Sequence, residues 1–423
     1  MEPFDYHQST KHSYFSIRTH PNRLDWDNQP SQFKSYPQHF KKIQLDYSNP
    51  NHRLLILSAG ITAKKSYPGV EYYLRINPSA GALFPCEIYF QARNLDGFEN
   101  GIYHFEIESN SVTLLQTISS DGIESYLGLE KQQEGFIFLF SSIYYRSSWK
   151  YKNRALRYCL LDTGHLLGCV EASCYLQDRA YQIQYNFDKK RLNSIFGFKK
   201  QEFFTAAIII GNLTEEKSEP LSMQLDFVDG TNTFESNELI EFAYAQTLEQ
   251  ISCDKSYIMP HFSYNKTALE DTMVKRRSAR EFFKRAISKV EFEAIMENLN
   301  APIISDCDEE VSIYCVINRV QGMQLGLYLD KQYLKEGDFQ SKAGYLCLEQ
   351  ELGHFSAVTF FLTSNARNYQ ALYQKAGIIG HRLYLAANYL GIGCSGIGAY
   401  YDDEVNEFLE NNHKVLYALA IGN

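Results

Sequence analysis

Gly97-Phe98-Glu99-Asn100-Gly101-Ile102-Tyr103-His104-Phe105 and Gly322-Met323-Gln324-Leu325-Gly326-Leu327-Tyr328-Leu329 decide how this chain is read. Each stretch sets two glycines four positions apart and then runs into apolar and aromatic residues, the pattern of a turn that enters a strand. Both glycine pairs are offset by 225 positions (322 − 97 and 326 − 101), and a constant offset is the mark of an internal repeat. Working outward, a strand at residues 86–92 precedes the first copy and one at 311–317 precedes the second. Apolar strands follow at 136–140 and 358–362. A helix expected to begin near Asp162-Thr163-Gly164 then matches one near Lys375-Ala376-Gly377. Leu160, Gly164, Leu167 and Val170 in the first, and Ile379, Leu383, Ala386 and Leu390 in the second, predict one apolar face on each helix. Strands at 206–210 and 416–421 close the two copies. The expected fold is α+β: tandem duplicated domains, each a mostly antiparallel sheet flanked by helices, paired as an internal pseudo-dimer.

The expected boundaries are an N-terminal extension over 1–50, a first domain over 51–212, a connector over 213–265 with a helix at 235–250, and a second domain over 266–423. From Ser142 to Gly164 is 22 positions, whereas from Ser364 to Gly377 is 13. The difference places Trp149-Lys150-Tyr151-Lys152-Asn153-Arg154 in or beside an insertion, where a duplicated scaffold often carries function.

A chain of 423 residues, 44% hydrophobic and 22% charged, can bury two ordinary cores. Its net charge of −9 argues against nucleic-acid or anionic-membrane partners. Nine cysteines without CxxC spacing give neither a disulfide framework nor a zinc signature, and no histidine pair has metal-ligand spacing, so no metal is expected. With no signal-peptide pattern at Met1-Glu2-Pro3-Phe4-Asp5 and no apolar run of membrane length, a cytoplasmic location is expected.

Two segments carry chemistry. Lys275-Arg276-Arg277-Ser278-Ala279-Arg280 offers guanidinium forks suited to a phosphate, with a helix N-terminus expected beside them. Pro78-Ser79-Ala80-Gly81 is a turn whose backbone can come close to a flat ring. The structural alternatives are a solvated basic segment and an ordinary turn; for Lys150 and Tyr151 they are a surface lysine and a packed tyrosine. Gly391-Ile392-Gly393-Cys394-Ser395-Gly396 has the literal dinucleotide pattern but follows a helix and lacks the later acidic residue, so it reads as a turn facing a ligand. His165 beside Asp162 reads as a capping or core-edge histidine.

Taken together, these segments resemble the nitroreductase superfamily, and specifically the two-domain SagB/McbC-type dehydrogenases that include azoline oxidases. The resemblance rests on Leu24-Asp25-Trp26-Asp27-Asn28-Gln29-Pro30, on Arg75-Ile76-Asn77-Pro78-Ser79-Ala80-Gly81-Ala82-Leu83-Phe84-Pro85-Cys86-Glu87, on Trp149-Lys150-Tyr151, on Leu161-Asp162-Thr163-Gly164-His165 and on Arg276-Arg277-Ser278-Ala279-Arg280-Glu281-Phe282. It implies an FMN-dependent oxidoreductase holding one FMN between two units. Arg276, Ser278 and Arg280 would take the phosphate and ribityl side, Pro78, Ser79 and Gly81 the ring, and backbone near Ser395, Gly396 and Gly398 its reactive edge. Lys150 and Tyr151 match a Lys-Tyr pair implicated in azoline oxidation. The implied partners are a small-molecule or peptide substrate and biosynthetic partner proteins, with a homodimer open. An NAD(P)H-dependent nitro or quinone reductase and a non-catalytic flavin-binding scaffold subunit are the alternatives.

Overall fold

The computed structural model describes residues 3–19, 24–67, 70–248 and 262–423. They form two units: residues 24–261 with 303–308, and residues 1–23 with 262–302 and 309–423.

The unit containing residues 24–261 is built on a seven-stranded sheet. Its neighbours run Lys42–Gln44, Ser111–Thr117, Gly101–Glu106, Cys86–Arg93, Lys131–Ile143, Glu202–Lys217 and Tyr181–Gln184. Every adjacent pair is antiparallel. The helix Ala155–Leu176 is buried at every residue but Tyr175, so it is wrapped by protein on all sides and has no single apolar face. It also starts seven residues before the expected Asp162, because nothing from Ala155 onward breaks a helix. What fixes its start is Lys152, whose φ of +48° ends the short helix Tyr145–Tyr151 and turns the chain through the 3-10 segment Lys152–Arg154.

In the other unit the sheet order is Gln332–Glu336, Gly326–Leu329, Ser312–Ile317, Val358–Ser364, Lys414–Gly422 and Gly393–Ile397, again antiparallel throughout. Strand for strand, this repeats the order from Ser111–Thr117 to Tyr181–Gln184, so the duplication read from the glycine pairs is a duplication of sheet topology. Gly97 and Gly322, the first glycine of each pair, both adopt positive φ, +88° and +80°, which explains why the offset is marked by glycine. The helix Tyr369–Tyr389 is buried from Tyr369 to Ala387 and likewise starts earlier than expected; Leu390 lies beyond its last residue and is 37% exposed. Between strand and helix lie residues 144–154 in one unit and only 365–368 in the other, so the insertion is a short helix and a tight turn.

The first fifty residues divide between the units. The helix Pro3–Ser9 sets Tyr6 edge-on to Tyr369, and the His12 N–H donates to Asp402. Lys42–Gln44 instead adds an edge strand beside Ser111–Thr117. Within the connector the helix spans Glu238–Ala245, capped by Asn237, whose side chain accepts from the Ile240 N–H; residues 249–250 of the expected helix lie outside the described residues. No helix of the described residues is long and apolar enough to cross a membrane.

Candidate active site

Antiparallel pairing of Val70–Arg75 with Ile61–Tyr67 delivers the chain to Pro78. The next residues form a tight 3-10 turn in which Gly81, Ala82 and Phe84 all have positive φ, at +64°, +54° and +47°. A non-glycine residue there is strained, and the surroundings hold it. Ser79 Oγ donates to Asp162 Oδ2 at 2.5 Å, and the Ala80 N–H donates to Oδ1 at 3.2 Å. Ser79 Oγ in turn accepts from the Phe84 N–H at 2.9 Å. Arg75 is buried with its guanidinium 4.2 Å from the Phe84 ring centroid, and burial lowers its pKa to about 9.

Lys150 and Tyr151 end the inserted helix, and both point to this turn. A methyl carbon on Gly81 would stand 2.7 Å from the Tyr151 hydroxyl and 3.2 Å from Lys150 Nζ. The two groups therefore meet at one place although they are adjacent in sequence, which a regular helix continuing past them would not require. The Tyr151 ring lies against Tyr158 at 4.2 Å between centroids. Burial lowers the pKa of Lys150 and raises that of Tyr151.

Residues 24–34 strap these pieces together. The Trp149 indole donates to the Asp25 carbonyl at 3.2 Å and packs edge-on to Trp26. Gln32 donates to the Ala82 carbonyl at 2.5 Å and accepts from Arg75 through its own carbonyl at 2.8 Å. Lys34 ends the strap in a fully buried ion pair with Glu202 at 2.6 Å. Below the turn, Glu87 takes Arg146 at 2.6 Å and lies 2.9 Å from His104 Nε2. Burial works to raise the Glu87 pKa, but Arg146 and His104 outweigh it and hold it at about 2.

In the other unit the arginine segment follows a helix instead of opening one. Arg276 caps the C-terminus of Lys266–Lys275, and residues 276–286 are irregular before the next helix begins at Lys289. The expected N-terminal N–H groups are absent there, and a cation at the carbonyl end of a helix is itself favourable. Arg276 is buried, its guanidinium 5.1 Å from the Tyr384 ring centroid. Ser278 Oγ lies 2.9 Å from the Tyr384 hydroxyl, which accepts from the Gly396 N–H at 2.7 Å. Burial and Arg276 together push His381, one turn before Tyr384, down to about 3, so it is neutral. Arg280 is exposed, outside this chain of contacts.

Gly393–Ile397 is an edge strand paired with Lys414–Gly422, not the expected turn; the turn is confined to Gly391, with φ of +76°. Ser395 is buried opposite Ala420, and Gly396 has no room for a side chain because a methyl carbon would fall 2.0 Å from the Tyr417 hydroxyl. Gly398 follows the strand. His165 is buried in mid-helix and not at a helix end, and the Asp162 carboxylate turns to Ser79 and Ala80.

Sequence reading missed Asp162 as the anchor of the turn, Tyr384 as the hub beside Arg276, and Asn77. The side-chain oxygen of Asn77 is buried and takes no hydrogen bond, while its amide donates weakly to Pro78. A buried acceptor left open beside a turn that only glycine fits suits a flat ring carrying N–H groups, and a buried guanidinium over the Tyr384 ring suits an anionic tail.

Residues 273–423 match the family model described as the Nitroreductase family. Over the whole chain the protein is similar to the crystal structure of a candidate nitroreductase from Anabaena variabilis ATCC 29413, with a TM-score of 0.82, 27% identity and coverage of 100% of this chain and 99% of that one. A candidate nitroreductase of Methanocaldococcus jannaschii is 24% identical over 185 residues, 36% of this chain and 90% of that protein. The E. coli microcin synthetase McbBCD complex aligns at a TM-score of 0.33 and 14% identity, covering 51% of this chain and 88% of that one, a likeness too slight to bear on activity. Two nitroreductase-type sheets and the whole-chain likeness make this protein a nitroreductase-like oxidoreductase.

Proposed function

We propose that the protein is an FMN-dependent dehydrogenase of the SagB/McbC type that oxidises a heterocycle or a peptide-borne azoline. The observation that carries this reading is the meeting of Lys150 Nζ and the Tyr151 hydroxyl at Gly81, in the turn that the resemblance assigns to the flavin ring. Bound FMN supplies a two-electron acceptor for a C–H bond of the substrate. The chain must supply everything else. Lys150, with its pKa lowered by burial, takes the proton that leaves the adjacent substrate atom, and Tyr151 orients the ring being oxidised.

One FMN per chain follows from the inventory of residues. Arg276, Ser278 and Arg280 are assigned the phosphate and ribityl side, Pro78, Ser79 and Gly81 the ring, and Ser395, Gly396 and Gly398 the reactive edge. A second set is missing: where a Pro-Ser turn is needed, Ala301 and Pro302 have their carbonyls bound by Arg382. Reversed-phase analysis of the ligand released from purified protein should yield FMN in a one-to-one ratio; two per chain, or none after reconstitution, overturns the assignment.

The Nitroreductase match of residues 273–423 favours, as a second reading, NAD(P)H-driven reduction of nitro compounds or quinones. Anaerobic mixing separates the two. Rapid bleaching of the bound flavin by NAD(P)H supports the reductase, and indifference to NAD(P)H with reduction by an azoline peptide supports the dehydrogenase.

A further inference from the structure

Asp162 sits in the N-terminal half of the long helix of the first sheet's unit, 4% exposed, and its hydrogen bonds leave the helix altogether. One carboxylate oxygen accepts from the Ser79 hydroxyl, the other from the Ala80 N–H. These are the two residues immediately before Gly81, where Lys150 and Tyr151 meet. Ser79 passes the restraint on, since its oxygen also receives the Phe84 N–H and so ties the far side of a turn containing three left-handed residues. A carboxylate accepting two hydrogen bonds at the start of a strained turn is a clamp.

We propose that Asp162 is the positioning residue of the site: its carboxylate, through Ser79 and Ala80, holds the Pro78–Phe84 turn against Lys150 and Tyr151, and neutralising it releases that pair. The assignment of Lys150 and Tyr151 to catalysis rests on the function proposed above, but the clamp itself does not. Burial, opposed by the two hydrogen bonds, raises the Asp162 pKa to about 7, so the clamp changes charge near neutrality. The titratable groups that feel this carboxylate, Cys86, Cys159 and Tyr151, are all held neutral by burial, and the Lys150 amine at the turn has its pKa lowered by burial.

The corresponding position of the second helix carries the opposite charge. With Gly164 aligned to Gly377, Asp162 aligns with Lys375 (both 213 positions apart), and Lys375 donates to the Glu309 carbonyl at 2.6 Å. Both helices thus pin, from the same position, the loop that leads into a strand: Cys86–Arg93 in one unit and Ser312–Ile317 in the other. Only the one with a carboxylate pins it through a hydroxyl and an N–H, the Ser79 Oγ–H and the Ala80 N–H.

The test is lysine acetylation of the intact protein by an N-hydroxysuccinimide ester, read by peptide mass spectrometry, with exposed Lys331 as the internal standard. At pH 8 the Lys150-to-Lys331 rate ratio should be about tenfold higher in Asp162→Asn than in the parent, the shift one charge-assisted hydrogen bond sustains. Plotted against pH, the parent ratio should show an inflection near 7 that Asp162→Asn lacks, while the inflection due to Lys150 itself remains in both. Equal ratios at every pH, with both proteins folded by circular dichroism, overturn the clamp. If Asp162→Asn does not fold, Ser79→Ala removes one of the two bonds and should raise the ratio partway; no rise overturns the proposal. Neither readout needs flavin or substrate, so a protein that binds no FMN still decides the clamp.

Discussion

Gly81 shows how a turn glycine can be read from sequence while the groups packed around it are not. Its φ of +64° is a glycine conformation, and a side chain there would press on the Tyr151 hydroxyl. Gly81→Ala should therefore cost about 1–2 kcal/mol in backbone strain alone, checked as a lowered midpoint in urea. Lys150→Ala should keep the yellow cofactor and lose at least 100-fold in turnover, about what a positioned base contributes; unchanged turnover with full flavin removes Lys150 from the chemistry. The Pro78–Gly81 turn and the Lys150-Tyr151 pair were legible because short motifs declare them. Asp162 was not, since a carboxylate in a helix does not reveal which distant loop it accepts from. Glu87 makes a pH prediction with a definite sign. Its folded pKa of about 2 lies below the usual 4.5, so it contributes stability that is present above pH 4.5 and is lost as pH falls through 2. That contribution is about 3 kcal/mol. Glu87→Gln should be less stable at pH 7 and should show a flatter melting profile between pH 5 and 2.

At the scale of elements, the sequence located strands better than helix starts. A strand announces itself by a run of apolar residues bounded by turns, and residues 86–92, 326–329 and 416–421 all fall inside observed strands. Ala155–Leu176 and Tyr369–Tyr389 begin earlier than expected because their first turns are buried too, and an element buried all round carries no periodic edge to read. The arginine segment was misplaced for a related reason. Its basic charge favours the carbonyl end of a helix, and the Asn265 cap ahead of Lys266–Lys275 marks the helix that it ends. The insertion was legible from loop lengths alone, but the strap over residues 24–34 was not, since its partners Ala82, Trp149 and Glu202 lie far along the chain. Lys34→Met would leave the Glu202 carboxylate buried without its cation, which should cost about 3–5 kcal/mol, whereas Lys34→Met with Glu202→Gln should recover much of it. Paired urea titrations of the single and double variants measure the difference.

For the whole molecule, duplication explains why so much of the architecture could be anticipated and why the site could not be read by symmetry. The two sheets share one strand order, yet the copies have parted at the proposed site: the insertion, the turn and the charge at the Asp162 position belong to one copy, and the arginine segment to the other. The chain is nonetheless not a simple string of two lobes. Residues 303–308, which follow Pro302 in the later copy, lie beside the edge strand Tyr181–Gln184 of the earlier one. There the Ile183 N–H donates to the Ile304 carbonyl and Asp306 accepts from the N–H groups of Tyr185 and Asn186. A fragment ending before residue 262 would expose that edge to other chains, and it should aggregate where the intact protein stays monodisperse in light scattering. By lending six residues across, the descendants of one ancestral gene have forfeited their independence: whatever divided them again into separate polypeptides would first have to return the loan.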